Sequence, residues 1–412
     1  MMMKDHKHSV SHNRSQPLLI LTLVLVAVGN ITIPHSIPIV SRFYLILSLL
    51  LVALLMVYNS KIFFAHLRYP LIISTAFIFF IPGFLVNPLN EYGISKIAGI
   101  AISFLLVLAP FALAEASKSA ILIARFLLIA SLGTGISLLV IGETSESGRI
   151  ILPGLNPIGT ARMAGIAIVI LTFIIISNRA KKLYSKLIVF FGILISLMAI
   201  ITTGSRGPLI AAVVGIAVIF LLGWKAVGTR GYPTFIIYTA SMTVLSYFLA
   251  PFEENNRITS TDSSGRDLLF SSALETIRST PTGIGWGNFG YLTSGSFSQT
   301  GARVYPHNIF LEIGVEGGWI ALAGFTFLII GGIANLLRQV RAGREIALLI
   351  LALLSFSLVN ASLSSDLVGN RSMWLFIGLS LLQFKVSGNF DDKSSSEDDF
   401  LSAQHKPRSV AH

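Results

Sequence analysis

Residues 307–335 read HNIFLEIGVEGGWIALAGFTFLIIGGIAN, and this stretch decides how the whole chain is to be understood. From Ile309 onward it is almost wholly apolar, and a helix of roughly 20 such residues crosses a hydrocarbon core of about 30 Å. His307 and Asn308 stand at its start, where a polar stretch ends, so a titratable imidazole is placed at a water–lipid boundary. Glu316 lies about 13 Å deeper at 1.5 Å per residue, near mid-membrane, and must be neutral, paired or hydrated. Asn308, Glu312 and Glu316 repeat every four residues as one polar stripe beside the small residues Gly314, Gly318 and Ala321, which let another helix approach. Glu316 and Gly318 are therefore expected to serve structure or coupling.

Similar runs recur on both sides. Of 412 residues, 53% are hydrophobic and 12% charged, with a mean hydropathy of +0.78, which excludes an ordinary soluble globule. The runs fall at 17–33, 37–58, 69–86, 94–114, 120–141, 159–177, 185–203, 207–223, 232–251, 307–335, 345–365 and 370–386. The expected fold is an all-α integral membrane protein of about 12 transmembrane helices. Residues 1–16 form a cytoplasmic N-terminal tail, 17–386 the polytopic membrane domain and 387–412 a disordered cytoplasmic tail. One long outer loop, 252–306, carries a short amphipathic helix from Arg266 to Ser279, whose Leu269, Phe270, Ala273, Leu274 and Ile277 share a face.

With the N-terminus inside, alternate loops hold Lys61 and Arg68, then Lys118, then Arg179, Lys181, Lys182 and Lys186, then Lys225 and Arg230, then Arg338, Arg341 and Arg344, and both termini are cytoplasmic. The opposite face holds Arg42, Lys96, Arg149, Arg162, Arg206, Arg257, Arg266, Arg278, Arg303 and Arg371, nine arginines among ten bases. Orientation alone is indifferent to the choice of base, whereas guanidinium groups suit bidentate contact with phosphate oxygens. As a set these arginines favour a phosphate-bearing ligand; singly, each could pair with an outer carboxylate such as Glu143 or Asp267.

Two outer junctions sharpen that expectation. At Thr202-Thr203-Gly204-Ser205-Arg206-Gly207-Pro208 two spans meet with almost no loop; Pro208 fits a first helical turn, Ser205 can cap it, and Arg206 adds charge beside unpaired amides. At Asn156-Pro157, Arg162 enters a span about one turn below the interface and needs a carboxylate, with Glu316 or Asp366 available, or a bound phosphate. Between the outer helix and His307 runs Pro281-Thr-Gly-Ile-Gly-Trp-Gly-Asn-Phe-Gly290, whose glycines let backbone pack closely against membrane helices. It lacks the strand and helix that a nucleotide-binding glycine loop requires.

The absence of cysteine excludes disulfides, thiolate nucleophiles and Cys-ligated metals. The net charge of +11 reflects membrane orientation and the outer arginines, since no basic patch with interleaved aromatics suits nucleic acid. No histidine triad or close pair of outer aspartates offers a divalent metal site, so the positive charge beside a diphosphate would come from arginine.

Ser205-Arg206-Gly207 at a tight outer junction, the Pro-x-Gly-x-Gly stretch at 281–285, and His307-Asn308 with Glu316 and Gly318, in a chain of this hydropathy, together resemble the O-antigen ligase and polymerase family. In the ligases a His-Asn pair is followed after nine residues by Gly, two residues, Gly and a hydroxyl residue. Here His307, Asn308 and Gly318 fit, while Ala321 and Leu322 depart. The resemblance implies a metal-independent membrane glycosyltransferase, without cofactor, in the bacterial cytoplasmic membrane with its active site facing outward. The donor would be an undecaprenyl-diphosphate-linked glycan. The acceptor would be lipid A-core for a ligase, or another lipid-linked repeat for a polymerase of O-antigen or exopolysaccharide. On this reading His307 deprotonates the acceptor hydroxyl and Arg206 is catalytic beside it. Arg162, Arg303, Ser205, Asn308 and Arg266 bind diphosphate or glycan. A multi-pass solute or ion transporter is the alternative, and nothing in the residues gives the oligomeric state.

Overall fold

The computed structural model describes residues 3–32, 38–87, 90–145, 148–233, 235–237, 240, 266–292, 304–364 and 366–385. In chain order the helices are α1 (Met3–Thr32), α2 (Pro38–Tyr58), α3 (Ser60–Ala65), α4 (Arg68–Ile78), α5 (Glu91–Leu108), α6 (Ala116–Ile141), α7 (Pro157–Ile176), α8 (Leu183–Thr202) and α9 (Arg206–Ala226). They continue with α10 (Arg266–Ser279), α11 (Phe289–Leu292), α12 (Ile309–Glu312), α13 (Gly318–Arg341), α14 (Glu345–Leu363) and α15 (Arg371–Ser380). The architecture is that of an all-α membrane protein, and among the described residues one small antiparallel hairpin pairs Glu143–Thr144 with Ile150–Ile151.

Among the described residues, seven helices are long and apolar enough to cross a membrane: Glu91–Ala112, Ala116–Ile141, Pro157–Ile176, Leu183–Thr202, Arg206–Trp224, Ile309–Arg341 and Glu345–Leu363. Three shorter apolar helices occupy Ser15–Gly29, Leu45–Tyr58 and Arg68–Phe84. The described residues thus do not confirm the expected count of twelve. The ninth expected span falls mostly outside the described residues, and the twelfth is a helix of only 10 residues, about half of what a hydrocarbon core requires. The third is interrupted after Ile78 by a 3-10 turn at Pro82–Phe84. At the N-terminus α1 already starts at Met3, so the segment 3–16 expected to be cytoplasmic is helical. The tail 387–412 and Arg303 lie outside the described residues, as do 252–265 and 293–303 of the outer loop.

Burial follows the sequence chemistry. Beyond Arg162, α7 carries no charged residue and is apolar on every side; it is buried along nearly its whole length, against α6, α8, α9 and α14. Close approach needs small residues: at Gly165 a Cβ would come within 2.5 Å of the Phe356 ring. The apolar side chains of α2, α8 and α9 that remain exposed, such as Leu54, Ile188 and Leu221, form the periphery expected to meet lipid.

The long apolar run that opened the sequence reading is not one continuous α-helix. A π-helical segment, Ile313–Gly317, separates α12 from α13, and Gly318 begins α13 at φ 77°, ψ −178°. Three glycines in five residues weaken the α-helical ladder here, and a widened turn leaves carbonyls without their usual donors. Within a membrane these must find other partners. The 281–290 stretch supplies them: Ile284 N donates to Val315 O at 2.9 Å and Gly285 N to Glu316 O at 3.0 Å, while Trp319 N donates to Pro281 O at 2.9 Å. Such contact requires glycine, as a Cβ on Gly283 (φ 82°) would lie 2.5 Å from Gly318 N. Trp286, fully buried, stacks on Phe80 at 5.6 Å and donates from Nε1 to Phe80 O at 3.0 Å, which pins the loop to the bundle.

Candidate functional site

The connection between α14 and α15 organises the polar residues of this end of the bundle. Asn308 caps α12, its Oδ1 accepting from Phe310 N and Leu311 N, while its Nδ2 donates to Ser362 O at 3.1 Å. Arg266, at the start of α10, donates to Leu363 O at 2.9 Å. Gly207 abuts the same place, where a Cβ would lie 3.5 Å from both Leu363 Cβ and Ser364 Oγ, so the Ser205-Arg206 junction joins this neighbourhood. Glu312 Oε2 accepts from Leu367 N at 2.8 Å. Arg162 donates from Nη1 to Gly369 O at 2.7 Å, and the Asn360 side-chain oxygen accepts from its Nε at 2.8 Å and Nη2 at 3.2 Å. Asp366 accepts from the Tyr92 hydroxyl at 3.0 Å and from Gly369 N at 2.8 Å.

His307 stands over this connection at φ 56°, in the left-handed region that few side chains adopt and in which His, like Asn and Asp, is enriched. Strain of this kind clusters at ligand sites. Its half-buried ring packs against Tyr305 with centroids 4.3 Å apart, and its buried Nδ1 makes no hydrogen bond among the described residues. Burial first, and then the Arg266 charge, push the imidazole down to about 4, against the opposing pull of Asp366. It is therefore neutral near pH 7. Burial and the charges of Asp366 and Glu312 push the Tyr305 phenol up to about 12, although Arg162 and Arg266 oppose them. The two rings thus sit within reach of Arg266 and Asp366 alike.

Below them lies a buried ion triad. Lys96 of α5, fully buried, places Nζ 2.7 Å from Glu312 Oε1 and pairs also with Glu316 Oε2, with the Tyr92 ring 4.6 Å away. The other oxygen of Glu316 faces Phe289 N at 3.5 Å. Glu316 is thus paired, as an intramembrane carboxylate must be, with a lysine rather than with Arg162. Among the described residues no three His, Asp or Glu side chains gather as a metal-binding group.

Several expectations change. Ser205 does not cap α9; its hydroxyl donates to Thr203 O at 3.4 Å instead, because the chain folds back through the turn at Gly204. Among the described residues Arg162 has no carboxylate partner within hydrogen-bond distance; a backbone carbonyl and an amide engage its buried guanidinium. Asn308 has both ends of its amide engaged as cap and tether, so it shapes the site. Glu312 and Glu316, one stripe in the sequence, remain together across the π-turn because both reach Lys96. Asp366 was named only as a partner for Arg162, and no site role was given to Lys96, Tyr92, Tyr305 or Asn360. For Lys96 a signal existed: it was the one lysine in an outer set of arginines, and it sat inside an apolar run where a carboxylate partner is obligatory.

Fold and site define a polytopic helical membrane protein with a neutral histidine and several guanidinium groups at one end of the bundle. Residues 191–326, which include Arg206, the 281–290 loop, His307 and Gly318, match the family model described as O-Antigen ligase. The match covers about a third of the chain, relates it to the O-antigen ligase-related family, and supports a function of the ligase or polymerase type in a multi-pass bacterial inner-membrane protein. It lends no support to a transporter. No curated protein matches the chain.

Proposed function

We propose that the chain is a membrane glycosyltransferase that moves a glycan from an undecaprenyl-diphosphate carrier to an acceptor hydroxyl at the outer face of the cytoplasmic membrane. The acceptor oxygen attacks the anomeric carbon, the bond from that carbon to the diphosphate oxygen breaks, and the hydroxyl proton passes to His307. The carrier leaves as its diphosphate. Arg206 and Arg266 hold the diphosphate and offset the charge that grows on it, with Arg303 as a further candidate. Arg162 adds its charge from below, since its donors are engaged with Gly369 and Asn360.

The observation that most supports this reading is His307: strained, half-buried, neutral and with Nδ1 unengaged, beside Arg266 and inside the segment related to O-antigen ligases. An imidazole that is neutral near pH 7 is in the form that accepts a proton, although a pKa near 4 makes it a weaker base than one matched to that pH. The test uses purified full-length protein with a defined polyprenyl-diphosphate-linked oligosaccharide as donor, and either lipid A-core or a second lipid-linked repeat as acceptor. Transfer to the first marks a ligase, and chain growth on the second a polymerase. His307→Ala should lower turnover by about 10²- to 10⁴-fold while the protein stays folded. Wild-type turnover in that variant would remove His307 from the chemistry.

A further inference from the structure

We propose that Lys96 is a positioning residue for the transfer site, acting through Glu312 on the connection between α14 and α15. The inference rests on the transferase reading above and extends the machinery to α5, which lies outside the family-related segment.

Glu312 is the mechanical link. One of its oxygens meets Lys96 Nζ at 2.7 Å and the other accepts from Leu367 N at 2.8 Å, so the ammonium fixes the carboxylate that fixes the connection. At the last turn of α14, which leads into that connection, Ser362 O holds Asn308 next to His307 and Leu363 O holds Arg266, and on the connection itself Gly369 O holds Arg162. Through Glu316 the same ammonium anchors the π-helical segment and, by Phe289 N, the end of the embedded loop. All three ionisable groups of the triad are fully buried. Burying such a set contributes little net stability compared with apolar residues of the same volume, whereas deleting one member is costly. Stability alone does not account for the arrangement; holding four segments in one register does. Without the ammonium, Glu312 and Glu316 repel one another and Glu312 draws away from Leu367.

The test compares full-length wild type, Lys96→Met and Lys96→Met/Glu316→Gln for thermal stability, for kcat and donor KM, and for amide exchange in the peptide that contains Leu367 and Gly369. The double variant removes one positive and one negative charge and leaves Glu312 able to accept from Leu367. Expected is a recovery of melting temperature relative to Lys96→Met without a recovery of kcat, which stays about 100-fold down because a displacement near 1 Å misaligns the reacting groups. Donor KM should change by less than about threefold, since the loss falls on the transition state. Exchange at Leu367 should quicken by about tenfold or more as its acceptor loosens. Glu312→Gln, nearly isosteric, provides a second route: its amide presents an acceptor to Lys96 or to Leu367 but not to both, so exchange should quicken and kcat fall there too. If kcat returns together with melting temperature, or Leu367 exchange is unchanged in both the double variant and Glu312→Gln, Lys96 is only a structural ion pair and the proposal is overturned. Absence of transfer by wild type would instead overturn the transferase reading, and the exchange measurements would still decide the role of Lys96.

Discussion

Replacing Gly318 by alanine tests whether the embedded loop and the broken helix form one unit. Gly318 has φ 77° and ψ −178°, a region essentially reserved for glycine, and a Cβ there would lie 2.5 Å from Thr282 C, 2.6 Å from Thr282 O and 2.7 Å from Pro281 O. These neighbours are backbone atoms, so no side-chain rotation relieves the overlap. The loop must move, and with it go the bonds from Ile284 N, Gly285 N and Trp319 N. Backbone strain of about 1–3 kcal/mol and three hydrogen bonds at about 1 kcal/mol each bring the cost to about 4–6 kcal/mol. In a chain of this size that lowers an apparent melting temperature by about 5 °C. The assay is thermal unfolding in detergent, with Gly331→Ala as control: Gly331 is on the same helix and a Cβ there meets nothing within 4 Å. Gly331→Ala should leave stability level or slightly raised, because alanine favours the helix. Equal melting temperatures for Gly318→Ala and wild type would refute the argument, since they would mean that the loop does not depend on the backbone contact.

Two further outcomes follow from the site itself. The lowered pKa of His307 means that the unfolded chain takes up a proton near pH 6.5 while the native site resists until about pH 4. The stabilisation from keeping it neutral is therefore present above pH 6.5 and lost progressively as pH falls towards 4. In a pH–kcat profile the acid limb of His307 should lie well below 6.5, and Arg266→Gln should move it towards neutral; an unmoved limb in that variant would exclude Arg266 as a cause. Arg162→Lys keeps the charge but not the fork that serves Gly369 and Asn360 together, so thermal stability should fall by about 1–3 kcal/mol. Unchanged stability would show that these contacts are dispensable.

What the sequence made legible was what depends on local pattern. Apolar length marked the membrane helices, the period of Leu269, Ala273 and Ile277 marked α10, and the glycines of 281–290 pointed to backbone contact with a membrane helix. What it hid depends on partners distant in the chain. Nothing near Glu316 announces Lys96, which lies 220 residues away, and nothing near Arg162 announces Gly369. Periodicity also misled where it was followed through Gly314, Gly317 and Gly318: a regular helix was read where a π-turn breaks it. The carbonyls freed by that break become visible only when the loop that satisfies them is in place. Asp366 carried no local motif, and its value lies in facing Tyr92 and the guanidinium end of the bundle at once.

The distribution of bonded and unbonded groups bears on what kind of chemistry this end of the bundle can perform. Lys96 is committed to Glu312 and Glu316, Glu312 also to Leu367, Arg162 to Gly369 and Asn360, and Asp366 to Tyr92 and Gly369. An ion carrier needs intramembrane carboxylates that exchange partners during passage, yet here both share one ammonium within a closed and fully buried package. A transferase needs the opposite, namely charges fixed before substrate arrives, so that no dipole has to reorganise as the leaving group develops charge. Against that fixed frame His307 Nδ1 is buried and unengaged among the described residues, on a ring that is neutral near pH 7. A frame whose other polar groups restrain one another, while a neutral imidazole keeps a nitrogen in reserve, is the arrangement that the proposed proton abstraction beside a bound diphosphate calls for.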